Sequence, residues 1–319
     1  MMTSSLWILL SWLPLLLCQD HGQSTFQLFE KDISWKAAYK APWQTMPSLP
    51  PMPDPKFSGT ARINDVDLWY AMYGAELFKS RSAGYSPVVF LHGGFANSDY
   101  YAHQIRHLEH GPYTLITVDS RAQGRSSDDL TRPLTYDAMA EDVIALMDYL
   151  EVDRFSTVGW SDGSCLSFDL AMNYSQRIDR VFAFGGTYSY ENINATVMET
   201  ETFSTYMRWV QDDFKRLSPS SGTFDEFEER MMQMWSSEPV WTAESFQKVP
   251  SLFDDPDAPI IWIVAGDSEE AVTRTTPGNL HSWIWGSSLV TLPSVSHFAM
   301  FQDPKTFNIL LGRLLELER

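Results

Sequence analysis

The stretch "VGWSDGSCLS", Val158 to Ser167, sets a serine between two glycines, each two residues away, after an apolar run and before a helical pattern. A strand that turns abruptly into a helix forces the intervening residue into a strained backbone, and its neighbours must lack side chains for the turn to close. Ser161 then stands above the end of a sheet, with the positive end of the following helix and the backbone N–H of Asp162 beside it. A serine hydroxyl is a weak nucleophile at neutral pH and needs a base within hydrogen-bond reach. An imidazole base in turn needs a carboxylate to fix its tautomer and to stabilise the cation that forms.

The sequence around this stretch alternates short apolar runs with helical patterns. The runs are Pro87–His92, Tyr113–Asp119, Phe155–Trp160, Arg180–Gly186, Pro259–Gly266 and Ser288–Pro293. Apolar on successive residues, they predict strands buried on both faces, as in a parallel sheet. Between them, "TYDAMAEDVIALMDYLEV" repeats Met139, Val143, Leu146, Met147 and Leu150 at helical spacing behind Thr135 as a cap. The class is α/β, a mostly parallel central sheet with helices on both faces. Residues 57–74 read as a hairpin around Asn64 and Asp65. From 188 to 256 no strand is apparent, and acidic, Met- and Trp-rich helical sequence predicts an inserted helical cap. Its Met207, Trp209, Met231, Met234 and Trp235 either pack cap against sheet or line an adaptable apolar pocket. The expected organisation is a core at 57–187 and 257–319, the cap at 188–256, and a proline-rich leader at 19–56 that runs extended over the surface.

The best base is His297, in "LPSVSHFAMFQDP" after the last strand, which returns it to the end of the sheet where Ser161 sits. The loop after "PIIWIVAG" offers three carboxylates, Asp267, Glu269 and Glu270. At this point the chain resembles the α/β-hydrolase superfamily, from about residue 57 to the C-terminus. Four features match in order: "HGG" at His92–Gly94, the elbow at Ser161, the acid-bearing loop after Gly266, and His297. Within that superfamily it is similar to the cap-bearing, proline-iminopeptidase-like or esterase-like serine hydrolases. Serine rather than aspartate at 161 separates it from epoxide hydrolases and haloalkane dehalogenases.

The resemblance implies Glu269 as the acid, three residues after the strand-ending glycine, with Asp267, Glu270 and Glu191 as alternatives because aspartate is commoner there. It implies an oxyanion hole from the backbone N–H groups of Asp162 and Gly94, with Phe95 the alternative to Gly94, glycine letting backbone approach substrate closely. Relatives often carry Gly-His where this chain has Ala122-Gln123. His92 reads as a structural residue of its loop, Cys165 as a small buried residue under the elbow, and His103, His107 and His110 as side chains of one helix rather than a metal site. The Asp162 side chain is expected at the pocket mouth, discouraging anionic substrates. The implied chemistry is two-step acyl transfer to water from an ester, lactone or amide, with neither metal nor organic cofactor. Carbon–carbon bond hydrolysis on the same scaffold and a catalytically weak ligand-binding protein are the alternatives.

Composition agrees with a folded enzyme of small molecules. Of 319 residues 44% are apolar and 20% charged, and 41 acidic against 23 basic residues give a net charge of -18. Such a surface repels phosphate backbones and anionic lipid, which argues against nucleic acid as a partner; the expected partner of a pocket lined by Met and aromatic cap residues is a small substrate with an apolar portion. Residues 1–18 carry an apolar run from Leu6 to Leu17 and no charge, which predicts a secretory signal cleaved after Cys18 and no stable membrane association afterwards. Cleavage leaves Cys165 alone and excludes a disulfide framework. "NYS" at Asn173 and "NAT" at Asn194 are glycosylation candidates of a secreted protein.

Overall fold

The computed structural model describes residues 40–318; the expected signal peptide at 1–18, with Cys18, and the leader through 39 lie outside them. β1 (Phe57–Ile63) and β2 (Val66–Gly74) form the expected hairpin, antiparallel with Ile63 opposite Val66. Asn64 and Asp65 adopt φ of 44° and 68°, the left-handed pair that a two-residue turn needs to match the twist of its strands. After α1 (Leu77–Ser82) come β3 (Val88–Leu91), α2 (Ala102–Leu108), β4 (Thr114–Val118), α3 (Tyr136–Tyr149), β5 (Phe155–Trp160), α4 (Asp162–Asn173) and β6 (Ile178–Phe184). The segment between β6 and the next strand carries α5 (Glu201–Leu217), α6 (Phe224–Trp235) and α7 (Ala243–Phe246). Then β7 (Ile260–Gly266), α8 (Thr276–Trp283), β8 (Ser288–Leu292), α9 (Ala299–Gln302) and α10 (Pro304–Leu315) complete the chain.

The strands make one sheet in the order β1-β2-β4-β3-β5-β6-β7-β8, antiparallel at β1–β2 and β2–β4 and parallel throughout the rest. Every residue of β3, β4 and β5 is buried, as continuous apolar runs between two helical layers should be. β8 departs from the expectation of two buried faces. It closes the sheet, and Ser288, Leu289 and Thr291 are exposed. The register aligns the strand ends: Leu91 pairs with Gly159, Trp160 with Phe184, Phe184 with Val264 and Gly266 with Leu292. The loops after β3, β5, β6, β7 and β8 therefore leave the sheet along one edge, where open α/β sheets bind ligands.

Helix starts follow local chemistry. Thr135 accepts a bond from the Ala138 N–H and caps α3, whose Met139, Val143, Leu146 and Met147 are buried; such a cap contributes about 1 kcal/mol. α2 ends at Leu108, so His103 and His107 lie on it and His110 lies beyond it. The loop after β4 is tied to α3 by a buried fork in which Arg121 Nε and Nη2 donate to the Asp142 carboxylate, both at 2.6 Å. In that loop Ala122 takes φ 67°, where a Cβ is strained. The leader makes a short 3-10 turn at Pro42–Gln44 and then joins no ladder before Phe57. It packs Met46, Leu49 and Met52 on the core, while Gln302 donates to the Thr45 carbonyl and Arg106 to that of Pro51.

Candidate active site

Ser161 has φ 55° and ψ −117°, a conformation that costs on the order of 1–3 kcal/mol unless its surroundings impose it. They do so through hydrogen bonds on both sides. The Ser161 N–H donates to the Phe184 carbonyl at 2.9 Å, and the Ser161 carbonyl accepts from Ser164 and Cys165 at 2.9 and 3.1 Å. A Cβ on Gly159 would lie 2.1 Å from the Gly163 carbonyl oxygen, and one on Gly163 would lie 1.8 Å from that of Leu91. The two glycines let the first turn of α4 lie directly against β5 and β3, which aims Ser161 out of the sheet.

His297, in the loop after β8, is buried, and its Nδ1 lies 2.9 and 3.0 Å from the two carboxylate oxygens of buried Glu269. The carboxylate only accepts, so Nδ1 carries the proton of the neutral ring and Nε2 holds the lone pair. The other carboxylates of the loop do different things. Glu270 accepts the backbone N–H of His297 at 2.8 Å, and Asp267 accepts from the Ser268 hydroxyl. Glu191 is exposed on the short turn Tyr190–Asn192. Two further restraints hold the histidine: Trp160 Nε1 donates to the His297 carbonyl at 2.9 Å, and the Phe203 ring lies 5.6 Å from the imidazole. Burial alone lowers the pKa of the ring, but the charges of Glu269, Glu270 and Asp162 outweigh it and hold the imidazole above its ordinary value.

Ser161, Asp162 and His297 line one cavity of about 260 Å³, at the small end for ligand pockets. Its wall is apolar and aromatic, with Phe203, Trp235, Met198, Met232, Ile193 and Val272, and among the described residues no lysine or arginine lines it. Of the cap residues singled out in the sequence, Met231 and Met234 are core, Met207 and Trp209 pack partly buried against the core, and Trp235 alone reaches the cavity.

Asp162 departs from the expectation of a side chain at the pocket mouth. It is 6% exposed, its carboxylate accepting from the Tyr136 hydroxyl at 2.9 Å and from Trp235 Nε1 at 3.0 and 3.1 Å. Burial pushes this carboxyl up to about 6 against those hydrogen bonds. Packing gives a further reason for glycine at 94. A Cβ there would lie 2.3 Å from the Trp235 ring and 2.5 Å from the Asp162 carboxylate, so protein packing requires the glycine, and its carbonyl accepts from the Tyr206 hydroxyl at 2.5 Å. Phe95 beside it takes φ 67°. His92 accepts from the Ser120 N–H through Nε2 and donates through Nδ1 to the Gly93 carbonyl, a neutral strut that burial keeps uncharged. Cys165 is buried and also lines the cavity, and burial pushes its thiol up to about 12.

The two glycosylation candidates differ in surroundings. Asn173 is exposed at the end of α4, where its amide nitrogen donates to Asp169 Oδ1 at 3.1 Å. Asn194 is a wall of the cavity, and its amide nitrogen, the atom a glycan would occupy, donates to the carbonyls of Glu270 at 2.8 Å and Val272 at 3.4 Å. Trp160 and Tyr206 carry contacts that sequence reading missed, Trp160 with the signal of standing next to Ser161; Glu270 and Asn194, singled out as a candidate acid and a glycan acceptor, make contacts of another kind.

A sheet of this order, an elbow serine after β5 and a His–carboxylate pair after β8 and β7 define the α/β-hydrolase architecture. Residues 86–223 match the family described as alpha/beta hydrolase fold. The human serine hydrolase BPHL is 24% identical over 269 residues, 81% of this chain and 86% of that protein. The esterase YbfF of Escherichia coli is 33% identical over 98 residues, 31% of this chain and only 37% of that protein's length. The meta-cleavage product hydrolase of Pseudomonas fluorescens IP01 shares the fold with a TM-score of 0.64 at 19% identity, covering 82% of this chain and 97% of its own. The chain has the alpha/beta hydrolase fold.

The close seating of α4 makes a stability prediction. Gly163→Ala should lower the free energy of unfolding by about 3 kcal/mol or more, because the clashing atom is backbone and cannot rotate away. Urea denaturation reads this directly, and an unchanged midpoint would contradict the contact with Leu91.

Proposed function

We propose that the protein is a secreted serine hydrolase that cleaves a small, largely apolar and uncharged ester, lactone or amide through an acyl-enzyme on Ser161. The observation that carries this reading is the buried His297–Glu269 pair facing the cavity onto which Ser161 also opens. The human serine hydrolase and the bacterial esterase among its relatives support it. Ser161 Oγ attacks the carbonyl carbon as His297 Nε2 takes its proton. The oxyanion is held by the Asp162 N–H and one from Gly94–Phe95, each such donor contributing about 3–4 kcal/mol to the barrier reduction. His297 returns the proton to the leaving group, and water repeats the sequence on the acyl group. Glu269 keeps the ring in the required tautomer and stabilises the imidazolium.

Wild-type protein should hydrolyse p-nitrophenyl butyrate and become labelled at Ser161 by a fluorophosphonate, and Ser161→Ala should do neither; equal turnover by the variant would refute the assignment. In the same assay kcat/KM should fall as pH drops through the pKa of His297. That pKa is raised, so the midpoint should lie above the ordinary value of about 6.5. A profile flat from pH 5 to 8 would remove His297 as the base.

Charge around the cavity bears on substrate choice. With Asp162 ionised at neutral pH, its pKa being about 6, a substrate carboxylate meets like charge that no lysine or arginine among the described lining residues offsets. A neutral p-nitrophenyl butyrate should exceed mono-p-nitrophenyl succinate by about tenfold or more in kcat/KM, roughly 1.4 kcal/mol. Comparable rates on the two would remove this restriction.

The secretory part of the reading rests on the apolar run from Leu6 to Leu17. N-terminal sequencing of protein recovered from the medium of expressing cells should begin at Gln19, and a mature chain that retains the run would overturn it.

A further inference from the structure

Three residues at the start of α5 reach the edge of the sheet where the site lies. Thr202 donates its hydroxyl to Glu270 Oε1 at 2.8 Å, Phe203 sets its ring 5.6 Å from that of His297, and Tyr206 donates to the Gly94 carbonyl at 2.5 Å. Positions i, i+1 and i+4 of a helix share one face, so a single docking event makes all three contacts. Glu270 is the informative partner. Its other oxygen, Oε2, accepts the backbone N–H of His297 at 2.8 Å, so one carboxylate joins the inserted helix to the main chain of the histidine.

The chain maintains this link at a cost. Glu270 stands next in sequence to Glu269, and burial together with that neighbouring charge raises its pKa, against the bonds from His297 and Thr202 that lower it. A neutral acceptor could satisfy the same N–H without the repulsion. A carboxylate adds a negative charge behind the imidazole and can accept from two donors on separate elements at once.

We propose that Glu270 is a positioning residue through which the docking of α5 fixes the backbone and the electrostatic surroundings of His297, so that the inserted helices organise the histidine as well as roofing the cavity. This rests on the reading of His297 as the base, but its physical content is a coupling between Thr202, Glu270 and His297 that exists with or without turnover. The charged groups that face His297 are Glu269, Glu270 and Asp162. Those that face Glu270 are Glu269 and His297, and Glu201 lines the outer cleft into which Glu270 opens.

The test is an NMR titration of the His297 imidazole in the full protein. Glu270→Gln keeps an acceptor and removes the charge, and it should lower the midpoint by about one unit, a tenfold weaker proton affinity. Thr202→Val removes the donor that stabilises the Glu270 charge and should move the midpoint the same way by a smaller amount, whereas Thr202→Ser should titrate as wild type. In ester hydrolysis Glu270→Gln should lose about tenfold in kcat with little change in KM. A Thr202→Val protein that titrates like wild type overturns the proposal. If Glu270→Gln fails to fold, the Thr202 pair still decides it. Because the titration needs no substrate, a wild-type protein that hydrolyses no ester would defeat the hydrolase reading while the midpoints still decide the coupling.

Discussion

The approach of the first turn of α4 to β3 is the constraint on which the site depends. With 1.8 Å between the place of a Gly163 Cβ and the Leu91 carbonyl oxygen, the helix can sit no closer to the sheet and needs to sit no farther. That seating forces the turn at Ser161 into a conformation that an isolated chain would avoid, and the strand register then brings the loops after β3, β6, β7 and β8 to the same rim. Strain at one residue is thus maintained by packing spread over several strands, so that the hydroxyl is presented without any side chain having to push it there.

Around the imidazole the chain gathers three carboxylates, and each is held differently. Glu269 meets the ring, Glu270 meets its main chain, and Asp162 is clamped by a phenol and an indole on the far side of the cavity. Buried charges are costly unless hydrogen bonds satisfy them, and each of these has such bonds. Their sum is a negative field in which a cation formed on the ring is favoured, beside a wall that is mostly apolar and aromatic.

The parallel strands, the hairpin and the elbow were legible in the sequence because their signals are local: unbroken apolar runs, Asn64-Asp65, and two glycines around a serine. What stayed hidden depends on neighbours distant in the chain. "SLVTLP" reads like any other buried strand, yet β8 is an edge, because strand order and not composition decides which run ends the sheet. Three carboxylates within four residues could not be ranked from spacing, since the path of the loop after β7 determines which one points at the ring. Asn194 had the pattern of a glycan acceptor, but the bridge between Ile193 and Val272 folds it against the acid-bearing loop. The packing that calls for glycine at 94 was not legible, because Trp235 arrives from α6.

The indole of Trp160 hydrogen-bonds the carbonyl of His297, and Trp160 is covalently the neighbour of Ser161. The turn at Ser161 and the main chain of His297 are therefore tied to one residue of the sheet. Displacement of the loop after β8 is thereby opposed from two sides, by an indole anchored in the sheet and by a carboxylate held from α5.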